Sequence, residues 1–98
     1  MKTIKEMYDS KLGAVATLTD EKWDNELDKY NAFIGAFELE DDWDMECIVV
    51  FIYLLIDLPN GVQTEIRTNQ WYRYDTNVDD VKETMYKKLI EYAKNYEV

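Results

Sequence analysis

The sequence predicts one α+β domain over residues 1–98, with its elements in the order helix, helix, three-stranded antiparallel meander, helix. Apolar residues recur at helical spacing near both ends of the chain, whereas the middle has alternating and continuous apolar runs typical of strands. Asn60-Gly61 separates two of these runs and favours a tight hairpin turn. Because 47% of the 98 residues are hydrophobic, the chain is long enough for one modest core and too short for two.

Two short helices are predicted in the first third of the chain. Thr3 and Glu6 have the spacing of a capping box, and the helical pattern that follows them ends at Gly13. Residues 14–18 have no periodicity, so a connector and a short strand both remain open. A second helix is predicted from residue 19 or 20 to about residue 31, because apolar residues recur there at steps of four, three and four: Trp23, Leu27, Tyr30 and Ile34.

Three strands should follow. Residues 33–40 alternate between apolar and other residues, which favours a strand, with continuation of the preceding helix as the alternative. Residues 46–58 form a continuous β-branched and aromatic run that is apolar on both faces, as expected of a central strand or of one face of a protein contact. Residues 62–74 return as a half-exposed strand, which makes the antiparallel pairing of these two runs the firmest part of the prediction.

The last predicted element is a helix over residues 78–96, capped by Thr76 or Asn77. Its main apolar stripe consists of Val81, Met85, Leu89, Tyr92 and Tyr96. A second apolar flank contains Tyr86, Ile90 and Ala93. This flank has two candidate uses: it covers the far side of the central strand, or it makes a homodimer contact.

The charge of the chain is concentrated in one segment. The net charge is −10, and residues 20–46 hold eleven carboxylates against two lysines, a net charge of −9 in 27 residues. Packing like charges together opposes folding and attracts basic partners. Direct binding to nucleic acid is not expected, because that affinity comes mainly from Lys and Arg side chains that neutralise phosphates.

The spacing of these carboxylates predicts two rows. On the second helix, Asp20, Asp24 and Asp28 are four residues apart, which makes a ridge with about 6 Å between neighbours. The two lysines of the segment fall on the opposite flank beside Glu26, so the ridge is expected to be uncompensated. On the first strand, alternate carboxylates lie about 6.8 Å apart. Together the rows approximate the charge density of a nucleic-acid backbone.

The turn after the first strand adds further acids around an aromatic residue. Trp43 lies at its centre, and tryptophan is enriched at the energetic centres of protein interfaces. The candidate protein-binding surface therefore comprises ten residues: Asp20, Asp24, Asp28, Glu38, Glu40, Asp41, Asp42, Trp43, Asp44 and Glu46. The alternative interpretation is that the acids serve solubility and helix capping and that Trp43 packs into the core.

No catalytic or cofactor-binding pattern is present, and an enzyme is not expected. The chain has no histidine, so its lone Cys47 has no imidazole base, and its three glycines do not form a phosphate-binding loop. Residues 42–46 resemble the start of a calcium loop, but Cys47 and Tyr53 stand where that loop needs glycine and glutamate. We therefore expect no cofactor and no dedicated metal site.

The segment Glu38-Leu39-Glu40-Asp41-Asp42-Trp43-Asp44-Met45-Glu46, in one small acidic domain without histidine, resembles the acidic inhibitors encoded by phages and mobile elements. Anti-CRISPR proteins, anti-restriction proteins and inhibitors of uracil-DNA glycosylase belong to this class. The resemblance covers size, acidity and this patch, and it implies a mechanism in which carboxylates occupy the basic nucleic-acid groove of a nuclease or of its complex.

The alternative function is a small accessory or regulatory protein that binds another protein, or itself, through aromatic and apolar surfaces. The lone cysteine and the lack of an apolar signal segment favour the cytoplasm, which would be that of the host cell if the protein is phage-encoded. The longest apolar run, residues 47–56, is about half a membrane span, so no membrane contact is expected.

Overall fold

The computed structural model describes residues 2–10 and 17–96. The predicted α+β class and order of elements are confirmed. Two helices, α1 (Ile4–Ser10) and α2 (Glu21–Asp28), precede the strands β1 (Ala32–Asp42), β2 (Cys47–Asp57) and β3 (Gln63–Arg73), and helix α3 (Val78–Asn95) follows them. The predicted stop of the first helix at Gly13 and most of the aperiodic segment 14–18 lie outside the described residues; Leu18, at its end, is buried.

The capping box predicted for α1 is present. The amide of Glu6 donates to the Thr3 hydroxyl at 3.2 Å, and that hydroxyl donates to the Glu6 carboxylate at 3.1 Å. The amide of Ile4 also donates to the carbonyl of Thr76 at 2.8 Å, and that of Val78 donates to the carbonyl of Lys2 at 3.0 Å. These bonds hold the start of α1 beside the start of α3.

Helix α2 is shorter than predicted, and its end explains where β1 begins. Asn31 has a φ of 59°, in the left-handed region that asparagine tolerates better than most residues, so the helical path stops there. Its carbonyl accepts a 2.8 Å hydrogen bond from the amide of Asp57, which aligns the turn with the end of β2. The strand prediction for residues 33–40 is therefore confirmed over Ala32–Asp42, and the helical alternative is wrong.

The sheet is a meander with the order β1-β2-β3 and antiparallel pairing throughout. A bulge at Gly35 shifts the register between β1 and β2, and a side chain there would approach Leu55 to within 2.7 Å. Gly61, with a φ of 82°, closes the hairpin between β2 and β3. The antiparallel pairing predicted from Asn60-Gly61 is confirmed.

The core lies on one face of this sheet, which we call the inner face. The even-numbered residues of β2 from Ile48 to Ile56 point into it and are at most 4% exposed. All described helices contribute to the same cluster, through Ile4, Met7, Leu27, Val81, Met85, Tyr86 and Leu89. The opposite face, which we call the outer face, has none of the described helices packed on it. Over its described residues the domain is thus a two-layer structure with no helix on one side of the sheet.

Two predictions for α3 are wrong at its C-terminal half. Tyr92 and Tyr96 belong to the predicted apolar stripe, yet each is 37% exposed. Tyr86 belongs to the predicted second flank, yet it is fully buried. The reason is that α2 packs against this flank, and the Tyr86 ring stacks on Trp23 with 5.9 Å between centroids. The flank therefore serves the core, and neither covers the far side of β2 nor remains free for a dimer contact.

Candidate acidic binding surface

Strand β1 places alternate carboxylates on the outer face. Register pairs Glu38 with Phe51, Glu40 with Val49 and Asp42 with Cys47. Directly paired residues share a face, and the odd-numbered residues of β2 point away from the core. We call Glu38, Glu40 and Asp42 the acidic row; its neighbours are about 6.8 Å apart along the strand.

Nothing in the described ranges 2–10 and 17–96 neutralises the acidic row by an ion pair. Glu38 and Glu40 are exposed and make no hydrogen bond with another described residue through their carboxylates. Asp42 accepts a 3.3 Å hydrogen bond from the amide of Met45, which stabilises the following turn. Because β1 is at the edge of the sheet, the row is accessible to a partner from the outer face and from the side.

The turn between β1 and β2 presents exposed apolar side chains among its acids. Trp43 and Met45 are each 73% exposed, so the interpretation that Trp43 packs into the core is wrong. Glu46 has a φ of 51°, and its carbonyl accepts a 3.2 Å hydrogen bond from the amide of Tyr74, which fixes the turn against the end of β3. Asp44 is exposed at the tip. The turn therefore combines two carboxylates with two large apolar contacts.

Asp41 differs from its neighbours because it points to the inner side of β1. It accepts hydrogen bonds from the Tyr74 hydroxyl and, at 3.4 Å, from the Lys5 ammonium group. The bond to Asp41, with burial next, raises the pKa of Tyr74 to about 12. The pKa of Lys5 is also raised, first by its bond to Asp9 and then by Asp41. Asp41 thus joins α1 to the sheet.

Two carboxylates of the predicted ridge on α2 have structural partners. Asp20 caps the helix by accepting from the amides of Lys22 and Trp23, and its other oxygen lies 3.7 Å from the Lys82 ammonium group. Asp24 accepts a 2.8 Å hydrogen bond from the hydroxyl of Tyr86. The prediction that this ridge is uncompensated is therefore wrong, although Lys29 does pair with Glu26 on the other flank at 2.9 Å.

The Tyr86 hydroxyl links α2 to α3. It donates to Asp24 and accepts from the amide of Asp20 at 3.1 Å. Burial of the ring, with the bond to Asp24 next, raises the pKa of this phenol far above its ordinary value. Tyr86 therefore stays a neutral donor, and Asp24 is committed to holding the helical layer together.

The structure divides the ten predicted surface residues among separate places. Asp28 is exposed at the end of α2 and lines a cleft of about 310 Å³ with Ala32 and Ile34, on the helical side of β1. The helical layer holds Asp20, Asp24 and Asp28, the inner side of β1 holds Asp41, and the outer face and turn hold Glu38, Glu40, Asp42, Trp43, Asp44 and Glu46. Only the last group forms a continuous surface.

The outer face also contains residues that the sequence analysis did not connect with the acids. Register pairs Arg73 with Cys47, Trp71 with Val49 and Arg67 with Tyr53. These three residues therefore lie on the outer face of β3, across β2 from the acidic row. The alternation of β3 was visible in the sequence, but the pairing that sets Arg73 level with Asp42 depends on the register of both hairpins.

A cleft of about 520 Å³ lies at the turn end of the outer face, lined by Asp42, Met45, Cys47, Trp71 and Arg73. Burial, with Asp42 and Asp41 next, raises the pKa of the Cys47 thiol, which disfavours the reactive thiolate. In the part of the chain that the structure describes, no three His, Cys, Asp or Glu side chains are grouped as metal ligands.

Comparisons with protein-family models, curated proteins and solved structures found no match to this chain. None of the described helices is long and apolar enough to cross a membrane.

Proposed function

We propose that the protein is a non-enzymatic inhibitor that blocks the basic nucleic-acid-binding groove of a nuclease or another DNA-handling protein. The observation that carries the proposal is the continuous set of carboxylates on the outer face of β1 and on its turn, Glu38, Glu40, Asp42, Asp44 and Glu46, none of which is ion-paired within residues 2–10 and 17–96. This surface suits the mechanism implied by the resemblance to the anti-CRISPR and anti-restriction proteins of phages, in which carboxylates occupy a basic nucleic-acid groove.

The geometry supports this function through spacing and through exposed anchors. Glu38, Glu40 and Asp42 repeat about every 6.8 Å along a rigid strand, which is close to twice the charge spacing of one nucleic-acid strand. Lysines and arginines that bind every second phosphate along one strand can therefore meet successive carboxylates. Trp43 and Met45, each 73% exposed, add apolar contacts beside the charges.

The structure determines which residues a test variant should change. Asp41 is excluded because it holds Lys5 and Tyr74. The test variant therefore combines four changes on the outer face and turn: Glu38→Gln, Glu40→Gln, Asp42→Asn and Asp44→Asn. A control variant with the same change in net charge carries its four changes on exposed positions of α3: Asp79→Asn, Asp80→Asn, Glu83→Gln and Glu91→Gln.

The experiment captures proteins from a bacterial lysate on the immobilised wild-type chain and on both variants. We expect the wild type and the α3 control to retain a nucleic-acid-binding protein that added duplex DNA or high salt releases. The test variant, which we call the row variant, should bind the same protein about 100-fold or more weakly, because several close charge pairs are removed. In a purified assay, the wild type should compete with DNA for the captured protein.

Retention by the row variant equal to that of the α3 control would refute the proposal, and so would capture that DNA does not disturb. The alternative function, protein binding through apolar and aromatic surfaces, predicts capture that neither DNA nor high salt disturbs, because apolar contacts depend little on salt. A specific observation favours an apolar contact in addition to the acidic one: on the outer face, Phe51, Tyr53 and Leu55 of β2 are only half-buried.

A further inference from the structure

The outer face of the sheet has the composition of an interface rather than of a solvated surface. Its central strand contributes the half-buried Phe51, Tyr53 and Leu55 beside the buried Val49, and no charged side chain of β2 interrupts this row between Cys47 and Asp57. Trp71 and Phe33 stand on the flanking strands and are 64% and 43% exposed. A run of apolar side chains that crosses three strands costs free energy when it faces water.

Charge on this face is arranged in opposite signs along its two edges. β1 contributes the acidic row, while β3 contributes Arg67 and Arg73 against one acid, Glu65, which is level with Leu55 on the same face. Arg73 forms no ion pair with any residue in the described ranges, and Arg67 pairs only with Glu65, at 3.2 Å, while lying 5.1 Å from the centre of the Tyr53 ring. The face therefore has an acidic edge, an apolar centre and a basic edge.

We propose that two copies of this chain associate face to face through their outer faces. The two-fold axis would lie in the interface, parallel to β2. Such an axis stacks β2 on the partner's β2 and β1 on the partner's β3, at the same level along the strands. The apolar centres then cover each other, and each acidic edge meets a basic edge.

The register determines which charges meet in this arrangement. Asp42 and Arg73 both pair with Cys47, so they are level on opposite edges of one face. The proposed axis therefore places Asp42 of each copy opposite Arg73 of the other, twice in the interface. Glu38 and Arg67 differ by one level, about 6.8 Å, which is within the reach of an arginine side chain.

Charge pairing distinguishes the other way of stacking the two sheets. An axis in the interface but perpendicular to the strands would stack β1 on the partner's β1 and β3 on the partner's β3, with the turn end of one copy over the hairpin end of the other. Asp42 of one copy would then lie at the opposite end of the sheet from Arg73 of the other, so neither of these pairs would form. Only the parallel axis brings each Asp42 level with an Arg73.

The size of the face is sufficient for a dimer at the small end of the stable range. Strands of eleven residues, at about 3.4 Å per residue, with roughly 15 Å across three strands, give about 500 Å² in projection. Relief from the projecting Trp71 and Phe33 side chains raises the accessible area towards the ~800 Å² per partner of a standard interface. We therefore expect association in the micromolar range rather than an obligate dimer.

The first experiment measures the mass of the full-length chain by analytical ultracentrifugation between about 1 and 200 µM, around the expected micromolar dissociation constant. We expect conversion from the 11.7 kDa of one chain to twice that mass. Trp71→Ser should weaken association at least tenfold. Trp43→Ser is the matched control, because Trp43 lies on the turn and does not line the cleft beside Trp71.

Charge reversal tests the orientation. Arg73→Asp and Asp42→Arg should each weaken the dimer at least tenfold, because each sets like charges opposite each other, and the double variant should restore it. Circular dichroism checks that each variant is folded. A chain that remains monomeric over the whole range overturns the proposal, as does a dimer that neither Trp71→Ser nor the single reversals weaken.

A distance measurement on the assembled dimer distinguishes the axes without relying on those variants. Spin labels on Val62→Cys in a Cys47→Ala background mark the hairpin end of each copy. The parallel axis places both labels at the same end, within about 30 Å across the two sheets. The perpendicular axis places them at opposite ends of a molecule 42 Å long. A distance near that length would refute the proposed arrangement.

Discussion

At the scale of single residues, adjacent carboxylates of similar pattern have different roles. Asp41 points inward and accepts hydrogen bonds from Lys5 and Tyr74, whereas Asp42 points outward and belongs to the acidic row. Their sequence context gave no signal of this difference, because the partners of Asp41 lie 36 and 33 residues away along the chain. The strand period assigns the faces once the register is known, and the partners follow only from the tertiary structure.

The partners of Asp41 predict how stability depends on pH. The pKa values of Tyr74 and Lys5 are raised in the folded state, so the stability that their bonds to Asp41 contribute is fully present below pH 10. This stability is lost as pH rises through the folded pKa, which is about 12 for Tyr74. The free energy of unfolding of the wild type should therefore fall above pH 10. Asp41→Asn should be less stable than the wild type at neutral pH and should lose less on going to pH 12.

Urea denaturation followed by circular dichroism between pH 8 and pH 12 measures this difference. Asp42→Asn is the matched control, because it removes the same charge one residue later without removing a bond to Tyr74 or Lys5. If both variants lose stability with pH to the same extent, the linkage through Asp41 is wrong.

At the scale of elements, the sequence predicted those parts whose signals are local. The run of β2, the Asn60-Gly61 hairpin and the capping box of α1 each contain their own pattern, and their predicted bounds differ from the observed ones by one residue or so. The end of α2 and the buried flank of α3 were not predictable in this way. They depend on Asn31 bonding to β2 and on α2 packing over Tyr86, which are contacts between distant segments.

The candidate surface was predictable in composition but not in arrangement. Counting charges located the acids, and strand alternation placed Glu38 and Glu40 together. No pattern in the sequence indicated that Asp24 is bonded to Tyr86, or that Arg73 is level with Asp42 across β2. Both facts depend on register and packing, which sequence periodicity does not contain.

The position of β2 between two strands predicts the effect of a charge on its inner side. Ile52 is fully buried between Phe37 and Thr68 of the flanking strands. Ile52→Asp should destabilise the domain by more than about 4 kcal/mol, because it places an unpaired carboxylate in the core. Since small domains have about 5–15 kcal/mol of stability in total, the variant should be largely unfolded.

Thermal unfolding followed by circular dichroism checks the prediction for Ile52→Asp. Val62→Asp adds the same charge at a position that is 54% exposed in the hairpin, and it should leave the melting temperature nearly unchanged. A cooperative transition of Ile52→Asp at the wild-type temperature would contradict the assignment of β2 as the buried central strand.

At the scale of the whole molecule, charge is separated from the parts that hold the fold together. The helical layer uses its acids in caps and in bonds to tyrosine, while the acidic row and turn hold theirs without ion pairs in the described residues. The two proposals use the same acidic row, so they describe alternative bound states: a copy must leave the proposed dimer before its row can enter a basic groove. In the dimer the common two-fold axis brings both β1–β2 turns to one end, where Asp44 and Glu46 of each copy lie outside the contact.

Self-repulsion within this surface predicts how salt affects stability. The chain has a net charge of −10. At 0.1 M salt the screening length is about 10 Å, so the repulsion between carboxylates about 6.8 Å apart is only partly screened. We expect the melting temperature of the monomer to rise by about 5 °C between low and high salt, which corresponds to about 1 kcal/mol for a domain of this size. The variant with Glu38, Glu40, Asp42 and Asp44 changed to amides should melt higher at low salt and respond less.

The comparison is made in a Trp71→Ser background, so that loss of self-association does not offset the relief of repulsion. The α3 variant with the same net charge is the control, and it should retain a larger part of the wild-type salt response because its acids are spread along a helix that also holds lysines. The test separates local from global repulsion. Equal salt responses of the two amide variants would mean that only the net charge matters. Concentrating acids on β1 and its turn would then cost the fold no stability, and their arrangement would need no binding function to explain it.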